Sequence, residues 1–210
     1  VSGVLDCLPE FVESQIDSVL SDITPDAIKL GMLSNANIMH SVAKMLKQYN
    51  CKNIVLDPVM VATTGGRLMD DNALGVYIDE LFALARVVTP NLPEASVLSG
   101  IEIKNIDDMR AAAIKISSYG CQSVLIKGGH FVGNATDLLY ENGEFTEFSA
   151  IKIDTKNTHG TGCTLSSAIA CNIASGLNVK DSVKNAKDYV TNALKNTIAI
   201  GHGNGPINHC

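Results

Sequence analysis

Tryptophan is absent from the 210 residues, and aromatic residues make up only 5% of them. A chain this poor in rings offers no stacking platform for single-stranded nucleic acid. Positive charge is also scarce: 16 Lys+Arg against 22 Asp+Glu leave a formal net charge of -6. That balance excludes the broad basic face needed by nucleic acid or an anionic membrane, although a local basic pocket could still form. No apolar run is long enough to span a bilayer, and no signal peptide is recognisable, so we expect a cytoplasmic protein without membrane partners. The six cysteines, Cys7, Cys51, Cys121, Cys163, Cys171 and Cys210, include no C-x-x-C pair and no Cys/His cluster at zinc-site spacing. They read as reduced thiols, most of them small core fillers. A Walker A loop, a three-glycine dinucleotide fingerprint, internal repeats and interdomain linkers are all missing.

What is there is a rhythm. With 46% hydrophobic residues, the chain can bury one substantial core, and we expect residues 1–210 to form a single domain. Short runs rich in Val, Ile and Leu, at 26–33, 52–60, 85–91 and 122–129, read as strands buried on both faces. Between them, 8–22, 35–49, 70–85 and 106–120 carry apolar residues at helical spacing. Alternating strands and helices predict an α/β fold, with a mostly parallel central sheet flanked by helices on both faces. The segment 136–150 departs from this rhythm, since Asn142-Gly143 between two strand-like arms predicts an antiparallel hairpin. A helix from about Gly162 to Ser175, ended by Gly176, and a last helix over Val179–Ala199 follow. The tail "GHGNGPINHC" is too glycine-rich to be regular.

In open α/β sheets, ligands bind beyond the carboxyl ends of the strands. Here those ends carry Asp57, then Asn91 with Glu94, then Lys127 before Gly128 and Gly129. Each alone could be a strand stop or a helix cap. Together with the loop "NTHGTGCTLSSAIA" (157–170), they point to a site for an anion and a metal. Gly160, Thr161 and Gly162 offer backbone N–H groups at a helix start, where the helix dipole favours negative charge. Cys163 at this point is placed either to attack or to take a proton. His159 reads as a residue that orients the loop or meets phosphate. His130, His202 and His209 read as loop histidines, because nothing near them has metal-site spacing.

The segments "KLGML", "LDPVMVATTGGRLMDDNA", "VVTPNLPEASVLSG", "VLIKGGH", "NTHGTGCTLSSAIA" and "GHGNGPINH" together resemble the hydroxymethylpyrimidine/phosphomethylpyrimidine kinases of thiamin synthesis, in the ribokinase-like superfamily. The resemblance runs from about Val1 to His209. It implies transfer of phosphate from ATP, with Mg²⁺, to 4-amino-5-hydroxymethyl-2-methylpyrimidine and then to its monophosphate. On the matching positions, Gly160, Thr161 and Gly162 would form the anion hole and Cys163 would be the base toward the substrate hydroxyl. Lys127 would contact ATP phosphates, Asp57, Asn91 and Glu94 would organise Mg²⁺ and its waters, and Met32 and Val59 would line the pyrimidine pocket. Taken without the resemblance, Met32 and Val59 read as core. A homodimer is likewise an expectation from the family.

Members of the family begin with further strands and a glycine-rich loop that are expected to be missing at the N-terminal side of this chain. Pyridoxal kinase is the alternative within the superfamily, since Cys163 suits both. A nucleotide-binding fragment without turnover, and a Rossmann oxidoreductase lacking its fingerprint, are the readings from other classes.

Overall fold

The computed structural model describes residues 3, 5–60, 73–129, 135–196 and 202–209. Helix α1 (Pro9–Leu20) leads into strand β1 (Ile28–Leu30), helix α2 (Ala36–Gln48) and strand β2 (Ile54–Leu56). Helix α3 (Ala73–Val76) continues through a π-helical turn (Tyr77–Leu81) and a 3₁₀ turn (Phe82–Leu84) directly into strand β3 (Ala85–Val88). Helices α4 (Leu92–Ser99) and α5 (Ile106–Ser117) precede strand β4 (Ser123–Ile126). The hairpin β5 (Ala135–Glu141) and β6 (Glu144–Ala150) comes next, then helices α6 (Thr161–Ala174) and α7 (Val179–Lys195).

The described strands form one six-stranded sheet in chain order, β1 to β6. β1 to β4 pair in parallel, and β5 and β6 close the sheet antiparallel, as the sequence pattern predicts. Asn142 and Gly143 turn the hairpin with φ of 52° and 84°, the left-handed pair that a two-residue turn requires.

Side chains alternate across the strands and so assign the two faces. Ile54 and Leu56, Ala85 and Val88, Val124 and Ile126, and Leu138 join one buried cluster with residues of α2 to α5. Val55, Val87, Leu125 and Leu139 join the other, against α6 and α7. Full burial of one such side chain stabilises by about 1.5–3 kcal/mol. A register slip of one residue would exchange the two sets, so the pairing is strongly specified.

Four expectations need correction. The strands are shorter than the apolar runs that signal them, since only three or four residues of each run pair as regular strand. The segment 73–84 is not one regular helix: its π-helical and 3₁₀ turns bring the chain into β3 without a loop, and residues 70–72 lie outside the described residues. Helix α4 was not anticipated from periodicity. Finally, most cysteines are not core fillers: Cys121 is buried and Cys51 partly so, whereas Cys7, Cys163 and Cys171 are exposed. Cys210 and His130 lie outside the described residues, as do the final residues assigned to the last helix at 197–199.

Candidate active site

The parallel ladder continues just past the strand ends and aligns the polar residues there. Asp57 N–H donates to Leu30 O at 2.9 Å, Thr89 N–H to Leu56 O at 2.9 Å, and Lys127 N–H to Pro90 O at 2.8 Å. Lys127 also forms an isolated parallel bridge with Asn91. Residues 57, 89, 91 and 127 therefore stand side by side at one edge, held by backbone geometry before any side chain acts.

Asp57 is the centre of this row, with its side chain only 1% exposed. Its Oδ1 accepts from Lys127 Nζ at 2.8 Å and from Thr89 Oγ1 at 3.1 Å. Its Oδ2 accepts from Ser166 Oγ at 3.2 Å, which ties the β2 end to α6. A buried carboxylate needs such partners, because a charge taken out of water without them is strongly disfavoured. Directly after it, Val59 N–H turns back to Asp57 O at 2.8 Å across the buried Pro58.

Asn91 and Glu94 cap α4 reciprocally. Asn91 Oδ1 accepts from Glu94 N–H at 2.9 Å, and Glu94 Oε2 accepts from Asn91 N–H at 2.7 Å. This capping box is the local reason that helix begins where it does, with Pro93 in its first turn. Burial pushes the Glu94 carboxyl above its ordinary range and the Asp57 charge adds to this, while Lys127 and the backbone N–H groups of Asn91 and Met60 pull it back. Tyr77 is fully buried beside the two acids, and among the described residues its hydroxyl has no hydrogen-bond partner. Burial, then the charges of Asp57 and Glu94, raise that phenol well above its usual value.

The glycine loop approaches the row from α6. Gly160 takes φ of +86°, a left-handed conformation that a side chain would strain, and forms the N-cap. Thr161 N–H and Oγ1 both turn to Thr158 O, at 3.3 and 2.6 Å. Among the described residues no acceptor meets the N–H of Gly162 or Cys163, so both are available to an anion. A β-carbon built on Gly162 would stand 3.5 Å from Lys127 Nζ, which puts the ammonium at the same helix start. Cys163 is exposed one residue further on.

His159 is exposed, and its backbone makes the contacts. His159 N–H donates to Gly205 O at 3.1 Å and Ile207 N–H donates to His159 O at 3.3 Å, a one-residue parallel bridge between the loop and the tail. The tail is thus more ordered than its glycines suggest: Ile207 is buried and Gly205 N–H donates to Asn157 Oδ1 at 3.2 Å.

Met32 and Val59 follow the ends of adjacent strands. Met32 is 43% exposed and Val59 is partly buried, so neither belongs to the buried core. Sequence reasoning missed Thr89, Ser166 and Tyr77. For the first two the available signal was a hydroxyl beside a strand end or one turn into a glycine-loop helix. For Tyr77, periodicity shows only a core aromatic.

The described residues hold no group of three or more His, Cys, Asp or Glu that could bind a metal by themselves. No described helix is long and apolar enough to cross a membrane.

Comparison with known proteins bears on the whole arrangement. The family model for phosphomethylpyrimidine kinase matches residues 1–208. A thiamine biosynthesis bifunctional protein of Geobacter sulfurreducens is 43% identical over 210 residues, and the chain spans only 43% of its length. The hydroxymethylpyrimidine/phosphomethylpyrimidine kinase of Bacillus subtilis is 38% identical over 211 residues, with 100% of this chain and 78% of the relative covered. Among solved structures, an ADP complex of Bacillus subtilis pyridoxal kinase superposes with a TM-score of 0.91 at 36% identity, covering 99% of this chain and 78% of the other. The chain belongs to the phosphomethylpyrimidine kinase family and has its ribokinase-like fold.

Proposed function

We propose that this chain carries the site of an ATP- and Mg²⁺-dependent kinase. Its acceptors would be 4-amino-5-hydroxymethyl-2-methylpyrimidine and then the monophosphate, giving the pyrophosphate used in thiamin synthesis. The observation that carries this reading is the position of Lys127: its ammonium lies 2.8 Å from Asp57 and beside Gly162, where two backbone N–H groups await an anion.

Phosphoryl transfer has a loose transition state, so positioning and electrostatic stabilisation provide most of the acceleration. Gly160, Thr161 and Gly162 present the helix start to the transferring group, and Lys127 neutralises charge on the phosphates. Cys163 takes the proton from the acceptor hydroxyl, a smaller contribution of about 10²–10⁴-fold. His159 fixes the loop through its backbone. Met32 and Val59 offer apolar contact to the pyrimidine.

The acids fit a magnesium ion that is bound mainly by nucleotide phosphates and water. Mg²⁺ keeps several waters and needs only one or two carboxylates, which is what Asp57 and Glu94 can supply, with Asn91 holding Glu94 in place. When bound, it would offset charge on the phosphates. We further propose a cytoplasmic homodimer, by analogy with the family.

The test is ADP release from ATP and Mg²⁺ with the hydroxymethylpyrimidine or pyridoxal as acceptor. Turnover selective for the pyrimidine is the expected result. Selectivity for pyridoxal would replace the substrate assignment and keep the site, whereas ADP binding without turnover on either would leave a nucleotide-binding module.

A further inference from the structure

A third buried carboxylate, besides Asp57 and Glu94, sits at the same end of the sheet. Asp137 opens the buried part of β5 and is 6% exposed. Its Oδ1 accepts from the backbone N–H of Gly128 at 2.9 Å, and its Oδ2 accepts from Lys187 Nζ of α7 at 2.6 Å. The Lys187 side chain is itself only 11% exposed.

The register explains the contact. The last backbone pair between β4 and β5 is Ile126 with Leu138, so Gly128 lies beyond the ladder and its N–H has lost a strand partner. Asp137 supplies the missing acceptor from its side chain. On the opposite edge, Lys127 N–H is held by Pro90 O. The backbone that carries the Lys127 side chain is therefore anchored on both sides, to the β3 extension by residue 127 and to β5 by residue 128.

Buried ion pairs are weak sources of stability, since apolar residues of similar volume often do as well. What Asp137 adds that an apolar residue cannot is an oxygen for Gly128.

We propose that Asp137 and Lys187 are a positioning pair for Lys127, with Lys187 orienting the Asp137 carboxylate while Asp137 fixes Gly128. The proposal rests on the reading of Lys127 as a ligand of nucleotide phosphate.

Two double variants separate positioning from stability. Asp137→Asn with Lys187→Met removes both charges and keeps an oxygen for Gly128; Asp137→Leu with Lys187→Met removes the oxygen too. ADP affinity measured by calorimetry should stay near wild type in the first and fall about ten-fold in the second, where Gly128 is released and Lys127 is no longer held in line with the phosphates. Adding Lys127→Met should then weaken ADP less in the Leu background than in wild type. Equal ADP affinity in the two double variants, or a full additive loss from Lys127→Met, overturns the proposal.

Where the Leu variant does not fold, the unmodified chain still decides: a Gly128 amide exchanging with solvent as fast as that of the exposed Gly129 also overturns it. Wild-type chain that binds ADP but phosphorylates neither acceptor would remove the function proposed above and leave this comparison intact. Wild-type chain that binds no ADP would remove both.

Discussion

Lys127 Nζ lies 2.8 Å from Asp57 Oδ1, so a residue expected on the nucleotide phosphates and one expected beside the metal are partners of each other. With both side chains largely out of water, 16% and 1% exposed, each charge depends on the other.

Lys127→Met should therefore destabilise the fold by about 3 kcal/mol, because Asp57 is left charged and buried with only hydroxyl donors. Adding Asp57→Asn should recover most of that loss in urea denaturation. ADP affinity should remain low in both variants; recovery of affinity in the double variant would remove Lys127 from the nucleotide site.

Cys163 is exposed, so its removal should leave folding untouched. Cys163→Ala is expected to lower kcat by roughly 10²–10⁴-fold while ADP affinity stays constant. Cys163→Asp should regain part of the rate. Undiminished turnover in the alanine variant would take the thiol out of the reaction.

The raised pKa of Glu94 has a defined sign in stability. Between the unfolded and the folded pKa the folded chain holds the extra proton. The contribution of Glu94 is therefore complete below the unfolded carboxylate range and is lost as pH rises through the folded value. Glutamine keeps an oxygen for the Asn91 N–H and cannot ionise. Glu94→Gln should melt above wild type near pH 8, with the gap closing by about pH 4; a difference independent of pH would contradict the assignment.

Tyr77 buries a hydroxyl with no partner among the described residues. Tyr77→Phe removes that unmet group and keeps the edge-on contact with Phe82, at 5.7 Å between ring centres. A gain of about 1 kcal/mol is expected in chemical denaturation. A loss of similar size would mean that the hydroxyl acquires a partner in solution.

Thiol labelling should divide the cysteines. Burial pushes the Cys121 thiol up to about 12, so almost no thiolate is available for alkylation near neutral pH. Cys163 should label readily, and ADP should slow its labelling without protecting Cys7 or Cys171. Mass spectrometry after iodoacetamide treatment reads both results, and labelling of Cys121 in the folded chain would contradict its burial.

Much of this architecture was legible because two periods, that of the strand and that of the helix, are written plainly in the apolar residues. Val55 between Ile54 and Leu56 already implies two faces to cover. The start of α6 was legible because Gly160 and Gly162 stand where an irregular stretch gives way to an apolar helical run. What could not be read is pairing across long chain separations. No local pattern joins Ser166 to Asp57 or Lys187 to Asp137, since those contacts follow from which helix crosses which strand. Helix α4 was missed for a different reason: at eight residues with a proline near its start, it has a cap signal but too few turns to display a period.

The in-order sheet also has a consequence for assembly. Each described strand pairs with the one made just before it, so the ladder can extend through short closures. The site contacts close far longer ones: Lys127 reaches back 70 residues to Asp57, and Ser166 reaches back 109. Longer closures carry a larger entropic penalty and are the slower ones to form. The contact between Lys127 and Asp57 should accordingly form only once β2, β3 and β4 have paired, and that between Ser166 and Asp57 only once α6 has packed against them.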